Sequence, residues 1–173
     1  MNIRTTTRAA AAGALAALVL GLAGPAAATP SSVLFVGGGG IAADAGAGGI
    51  AVEGPALVQD KHLREMLDAT LRATMAPDDQ TLPAIGECEP GTASVVVDGE
   101  RDTDMTLRSS GTVCHLRHPI FTSYVWVEYR GLHEVTQAKR PQLRGVTGSL
   151  SITTGPGGGG FTSVHADSFV PTT

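Results

Sequence analysis

The side chains able to do chemistry are few, and most lie in the second half of the chain. Cys88 and Cys114 are its two cysteines. In an exported protein such a pair most simply forms one disulfide. Closing a loop of roughly 27 residues would contribute roughly 3.5 kcal/mol in the chain-entropy treatment. A nucleophilic cysteine is the weaker reading, because export to an oxidising compartment and the even count both oppose it.

Asp98, Glu100, Asp102 and Asp104 alternate along one stretch. Pairing Val95 with Met105 and Val97 with Thr103 would place Asp98, Glu100 and Asp102 in one turn, where crowded carboxylates favour a counter-ion such as Ca²⁺. The spacing is not that of an EF-hand, since no downstream Glu closes the loop, and Ca²⁺ needs six or more oxygens. The expectation is therefore a solvated acidic turn with Arg101 as local partner and no metal.

His115 and His118, with His133 and His165 elsewhere, are the residues a zinc site would draw on. On an extended segment His-x-x-His splits the two rings between opposite faces, and a catalytic zinc wants three converging ligands. His165 and Asp167 share a strand face, and Ser149, Ser151, Ser163 and Ser168 are near in sequence. That is the raw material of a Ser–His–Asp triad, without the nucleophile-elbow motif. No catalytic residue, metal or cofactor is assigned. Tyr124 and Trp126 alternate with Val125 and Val127. An exposed pair of this kind would stack on sugar rings, but the large area of a lone Trp favours a core role.

Those residues need elements to position them. Residues 29–58 are poor in charge, and seven of the residues from Val33 to Ile50 are Gly. Ordering so many glycines is costly, so this stretch reads as a flexible lead-in, with Val33 to Val36 as a short strand at most. A phosphate loop at Gly37 to Gly40 would need a helix N-terminus and usually a Lys; neither follows. Leu63, Met66, Leu67 and Leu71 fall on one face at helical spacing. Asp60 can cap the start, and Pro77 ends the run. A helix is predicted over residues 59–76, packed on a sheet.

From Cys88 onward Val, Thr, Tyr and Phe alternate between turn signals. Six strands are predicted: Thr92 to Val97, Thr103 to Arg108, Gly111 to Leu116, Ser123 to Arg130, Leu143 to Thr154 and Phe161 to Val170. Asp98–Gly99, Ser110–Gly111 and Gly155–Pro156 mark turns between them. The fold expected is mainly β: one small antiparallel sandwich or barrel-like domain over residues 59–173, its helix first.

Residues 1–28 read as a secretory signal. Arg4 and Arg8 lead an uncharged run from Ala9 to Ala23, and Ala26, Ala27 and Ala28 follow. The run is short for a membrane span, so no transmembrane anchor is expected after cleavage. The whole chain carries a formal charge of −4. Losing Arg4 and Arg8 makes the remainder more acidic, which argues against nucleic acid and against anionic lipid. The stretch Ser110 to Phe169 contains Ser-Gly-Thr-Val-Cys, a Tyr-Val-Trp strand, Val-Thr-Gly-Ser-Leu and a Gly-rich hairpin. It is similar to small exported β proteins of actinobacteria, a resemblance that implies export and a β fold.

The sequence thus points to a secreted, non-catalytic binding protein acting on an extracellular partner or wall polymer. Its rivals are an extracellular hydrolase or metal enzyme using the histidines, and a protease-inhibitor-like module presenting a loop within His115 to Thr122.

Overall fold

The computed structural model describes residues 32–60, 65–155 and 160–169. The expected signal, residues 1–28, lies outside the described residues. Eight antiparallel strands run in chain order: β1 Ser32–Gly46, β2 Gly49–Asp60, β3 Glu65–Pro77, β4 Cys88–Gly99, β5 Met105–Arg117, β6 Val125–Ala138, β7 Thr147–Thr153 and β8 Gly160–Phe169. Each pairs with the next, and β1 pairs with β8, so the sheet closes into a barrel. Closure removes every sheet edge.

The strands alternate in burial. On β4, Ala93, Val95 and Val97 point inward; on β5, Met105, Leu107 and Val113 do so; on β6, Val127, Tyr129, His133 and Val135. An eight-stranded barrel is about wide enough for side chains to fill, and this one is filled chiefly by Val, Leu, Ile and Ala. Both mouths are plugged. A short 3-10 turn, Pro141–Leu143, buries Leu143 at one mouth, and Val146 follows it. At the other, Leu82 packs on the core and Pro83 is buried, both from the loop after β3.

Two expectations are corrected here. Within the predicted helix over residues 59–76, Gln59 and Asp60 end strand β2 and residues 65–76 lie in strand β3. Leu67, Leu71 and Met75 are all buried, and their spacing of four fits a period of two as well as a helix. Only Met66 distinguished the helix, and it is 48% exposed. Ala69 and Ala73 fill the intervening inward places, and Thr70 and Thr74 face out.

The supposed flexible lead-in is β1 and β2. Its glycines let the two backbones approach: a Cβ on Gly40 would sit 2.1 Å from the Glu53 carbonyl oxygen, and one on Gly54 2.1 Å from that of Gly39. Paired strands on both sides of β1 offset the entropy cost of ordering it.

A further correction merges two of the predicted strands, Thr103 to Arg108 and Gly111 to Leu116, into one. Ser110–Gly111 is not a turn but the middle of β5. Gly111 stands opposite Gly131, where a Cβ would meet the Arg130 carbonyl oxygen at 2.1 Å. The side of Gly131 is occupied by the Tyr129 hydroxyl, 2.4 Å from where its Cβ would be. The Tyr129 side chain reaches back over that gap. Its hydroxyl donates to Ser109 Oγ at 2.6 Å, and Ser109 Oγ donates to the Leu132 carbonyl at 2.8 Å.

Candidate functional site

The cysteines are paired as expected. Cys88 and Cys114 face each other across β4 and β5 and are bonded, with Cα atoms 4.0 Å apart. No free cysteine remains.

The register at the acidic turn is shifted by two residues from the one predicted. Val97 pairs with Met105 and Val95 with Leu107, so the connection runs through residues 100–104. Arg101 pairs with Glu65 on β3, not with its own turn. Lys139 bridges Asp102 at 2.6 Å and Asp104 at 3.6 Å. Asp104 Oδ1 accepts the Gly99 amide at 3.1 Å. That bond first, then Lys139, holds its carboxyl below the ordinary range, although partial burial opposes both. Asp98 and Glu100 are exposed on the same turn. Among the described residues no three His, Cys, Asp or Glu side chains converge to hold a metal.

The histidines are dispersed. His115, on β5, has Nδ1 3.0 Å from the Pro83 carbonyl, a contact that requires an Nδ1–H donor. His118 lies in the loop after β5. His165 is outside on β8, its ring 6.2 Å from that of Phe35. It pairs in register with Ser151, and Asp167 with Ser149. Among the described residues no hydrogen bond joins His165 to a serine or to Asp167.

A serine–histidine contact does exist, and it was not predicted. His133 Nε2 lies 2.8 Å from Ser168 Oγ inside the barrel. Both side chains are buried, at 2% and 0% exposure. Burial pushes the imidazole pKa down, against weaker opposing effects of the Ser149 backbone and Asp167. The Ser149 backbone completes no hydrogen bond to Nδ1, which is without a partner, as is the buried Thr162 Oγ1. Among the described residues no carboxylate hydrogen-bonds the imidazole, so the pair lacks the third member of a triad. Its signal was present in the sequence: His133 lies four residues beyond Tyr129, on the same inward face.

Exposed apolar side chains are spread over the outer wall, as at Ile41, Leu57, Met66, Val96 and Leu132, and three lie close together in one loop. Ile120 is 77% exposed and Phe121 64%, at the tip of the loop joining β5 to β6. Tyr124 is exposed and Trp126 is half-buried on the outer face. The expected core role for the Trp is therefore corrected: among the described residues, Tyr129 is the buried aromatic side chain. The Tyr124 and Trp126 rings meet at 6.0 Å and 65°, edge to face, and do not make one flat platform. His118 links them to the tip, 5.0 Å from Phe121 and 6.2 Å from Tyr124.

Sequence and geometry explain why this loop keeps its shape. His118 N–H donates to the Tyr124 carbonyl at 2.9 Å, closing the loop, and Tyr124 N–H donates to the Phe121 carbonyl at 2.8 Å. His118 Nδ1 accepts the amides of Ile120 at 3.2 Å and Phe121 at 3.0 Å. Pro119 between them fixes one backbone angle and has no N–H to satisfy. The result is a tight turn and not an extended segment.

Concavities lie on the surface of the described residues, one of about 790 Å³ over Asp98, Asp104, Thr106, Gln137 and Lys139. A shallow apolar furrow of about 470 Å³ runs over Gly37, Gly38 and Gly39, flanked by Leu57 and His165. A wider polar saddle of about 1160 Å³ is lined by Ser94, Arg108, Ser110, Glu134 and Thr136.

Comparison with known proteins gave no match to any family model, curated protein or solved structure.

Proposed function

We propose that this chain is an exported, non-catalytic interaction protein whose contact surface is the loop between β5 and β6. The observation that carries this is Ile120 and Phe121, a bulky apolar pair held out in solvent by a loop fixed at three points. Burying a side chain of this size contributes roughly 1.5–3 kcal/mol, and the fold forgoes it here. Groups left out of a core in this way mark interaction sites. The Cys88–Cys114 bridge supports export, since such bonds persist in oxidising compartments.

Ring geometry favours a pocket on a protein partner over a sugar platform. A platform needs coplanar faces, and Tyr124 and Trp126 are tilted by 65°. The same end of the barrel carries exposed Asp78, Asp79 and Glu87, against Arg117. The partner pocket is therefore apolar with a basic rim. The tight turn argues against a protease-inhibitor loop, which binds extended. Acidic surroundings argue against nucleic acid and anionic membranes.

The test is a pull-down from the producing culture with native protein and with an Ile120→Ser/Phe121→Ser variant. A partner retained by the first and lost by the folded variant supports the reading. Equal retention by both moves the contact surface elsewhere. Retention of wall polysaccharide alone would restore the sugar-binding alternative.

A further inference from the structure

We infer that His118 is a proton-sensitive latch that presents the Ile120–Phe121 tip at neutral pH and releases it in acid. The inference concerns regulation of the contact loop, and so its biological meaning rests on the reading above; the latch itself does not.

The argument is one of donors and acceptors. A single nitrogen, Nδ1, accepts two backbone amides, those of Ile120 and Phe121. A neutral imidazole can do this only as the tautomer with its proton on Nε2. Imidazolium has no acceptor, because both nitrogens then carry hydrogen. Protonation would set an N–H donor against two others at about the present 3.0–3.2 Å. Both amides would lose their partner, and the turn would have to open.

Opposing effects can be weighed. A cation over the Phe121 ring is attracted to it. That contact does not replace the acceptor that both amide donors lose, and an opened turn need not keep it. Arg117, adjacent in sequence, adds like charge. The rings facing His118 are those of Phe121 and Tyr124, from its own hairpin. Among the described residues, no carboxylate or cationic side chain from any other element hydrogen-bonds or pairs with it.

His115 is the internal control. It lies three residues away, and its Nδ1 must donate to the Pro83 carbonyl. Protonating His115 keeps that bond. Two neighbouring histidines are thus held in opposite tautomers, and acid breaks the contacts of one of them.

The experiment is NMR of the full-length secreted protein, ¹⁵N-labelled, between about pH 7.5 and about pH 5, a range in which histidine changes charge. At neutral pH the His118 Nδ1 shift should be that of an unprotonated nitrogen, and the Ile120 and Phe121 amides should be protected. As His118 protonates, those two amides should lose protection about fivefold, the factor that loss of one net hydrogen bond allows, while core methyls such as Val95 and Leu107 hold their shifts. In His118→Asn the side-chain oxygen can take the acceptor's place without titrating. Its tip should stay ordered throughout.

A proton on Nδ1 at neutral pH would overturn the latch. So would Ile120 and Phe121 amides that ignore the His118 titration, or a His118→Asn tip that responds to acid as the native one does. The imidazole shift in native protein decides the matter even where a variant fails to fold. None of these outcomes depends on a partner, so failure of the latch and failure of the contact loop are told apart.

Discussion

The two ends of the barrel treat their unsatisfied groups in opposite ways. At the end formed by the β4–β5 turn and the Pro141–Leu143 segment, charge is answered by charge from the same chain. Lys139 spans Asp102 and Asp104, Arg101 reaches Glu65, and Leu143 turns inward to close the mouth. At the other end the backbone is satisfied but the side chains are not. His118 holds the turn, and Ile120 and Phe121 stay largely exposed, with the His118 ring beside Phe121. The acidic turn drew attention in the sequence because like charges clustered there. One cation from elsewhere in the chain, Lys139 just beyond β6, answers Asp102 and Asp104, while the turn's own Arg101 reaches out to Glu65. Among the described residues only the His118 ring lies against the apolar tip, which makes it the more informative feature.

The largest effect should come from the staple beside the aromatic end. A Cys88→Ser/Cys114→Ser variant should lose roughly 3.5 kcal/mol, the chain-entropy value for a loop of this length. Denaturant titration measures it. Removing the bridge should also raise amide exchange in β5 beyond Cys114 before it does so near Lys139. Equal loosening at both ends would mean that the staple serves the barrel as a whole, and the contrast between ends would weaken.

A somewhat smaller loss is expected at the other mouth. Leu143 is 3% exposed, and Leu143→Ala should cost about 2–3 kcal/mol, low in the range for a buried leucine because a mouth can partly collapse. A cost within error of zero would show that this plug is ornamental, and the two ends would then resemble each other.

How much of this was legible beforehand follows from periodicity. β4 and β6 could be read directly, since Val95, Val97, Val127 and Tyr129 alternate without ambiguity. β3 could not, because Leu67, Leu71 and Met75 recur at an even spacing that suits both strand and helix. β1 was hidden by its glycines, whose use is backbone contact with β2, a property no single segment displays. The disulfide was readable from cysteine count alone. The contact loop was half readable: the aromatic cluster stood out, but which rings face outward depends on where β6 begins. His118 as a double acceptor was not readable, since it depends on a turn three residues long.

Acid should act on the barrel through His133 as well as on the tip. Burial depresses the His133 pKa in the folded state. The unfolded chain therefore takes up the proton first. The associated stability is present above the unfolded value, near pH 6.5, and is lost as pH falls from there through the lowered folded value. Urea midpoints should decline over that window, and His133→Gln, which cannot charge, should flatten the slope whatever its own stability. A flat profile in native protein would show that water or movement relieves the buried ring. This effect is global, whereas release of the tip leaves the midpoint almost unmoved.

The smallest change expected is at the tip itself. Ile120→Ser and Phe121→Ser should each leave the unfolding free energy within about 0.5 kcal/mol of native, as exposed substitutions do. The reason is that these side chains are 77% and 64% exposed, so little apolar area returns to solvent when they are removed. Phe121 carries the one qualification, its ring contact with His118 at 5.0 Å, a contact worth at most about 1 kcal/mol if fully buried and less here. Thermal and urea melts of the two variants, compared with Leu143→Ala, set the ends side by side. A loss at Ile120 approaching that at Leu143 would place the tip in the fold's own packing. The exposed pair would then need no partner to explain it.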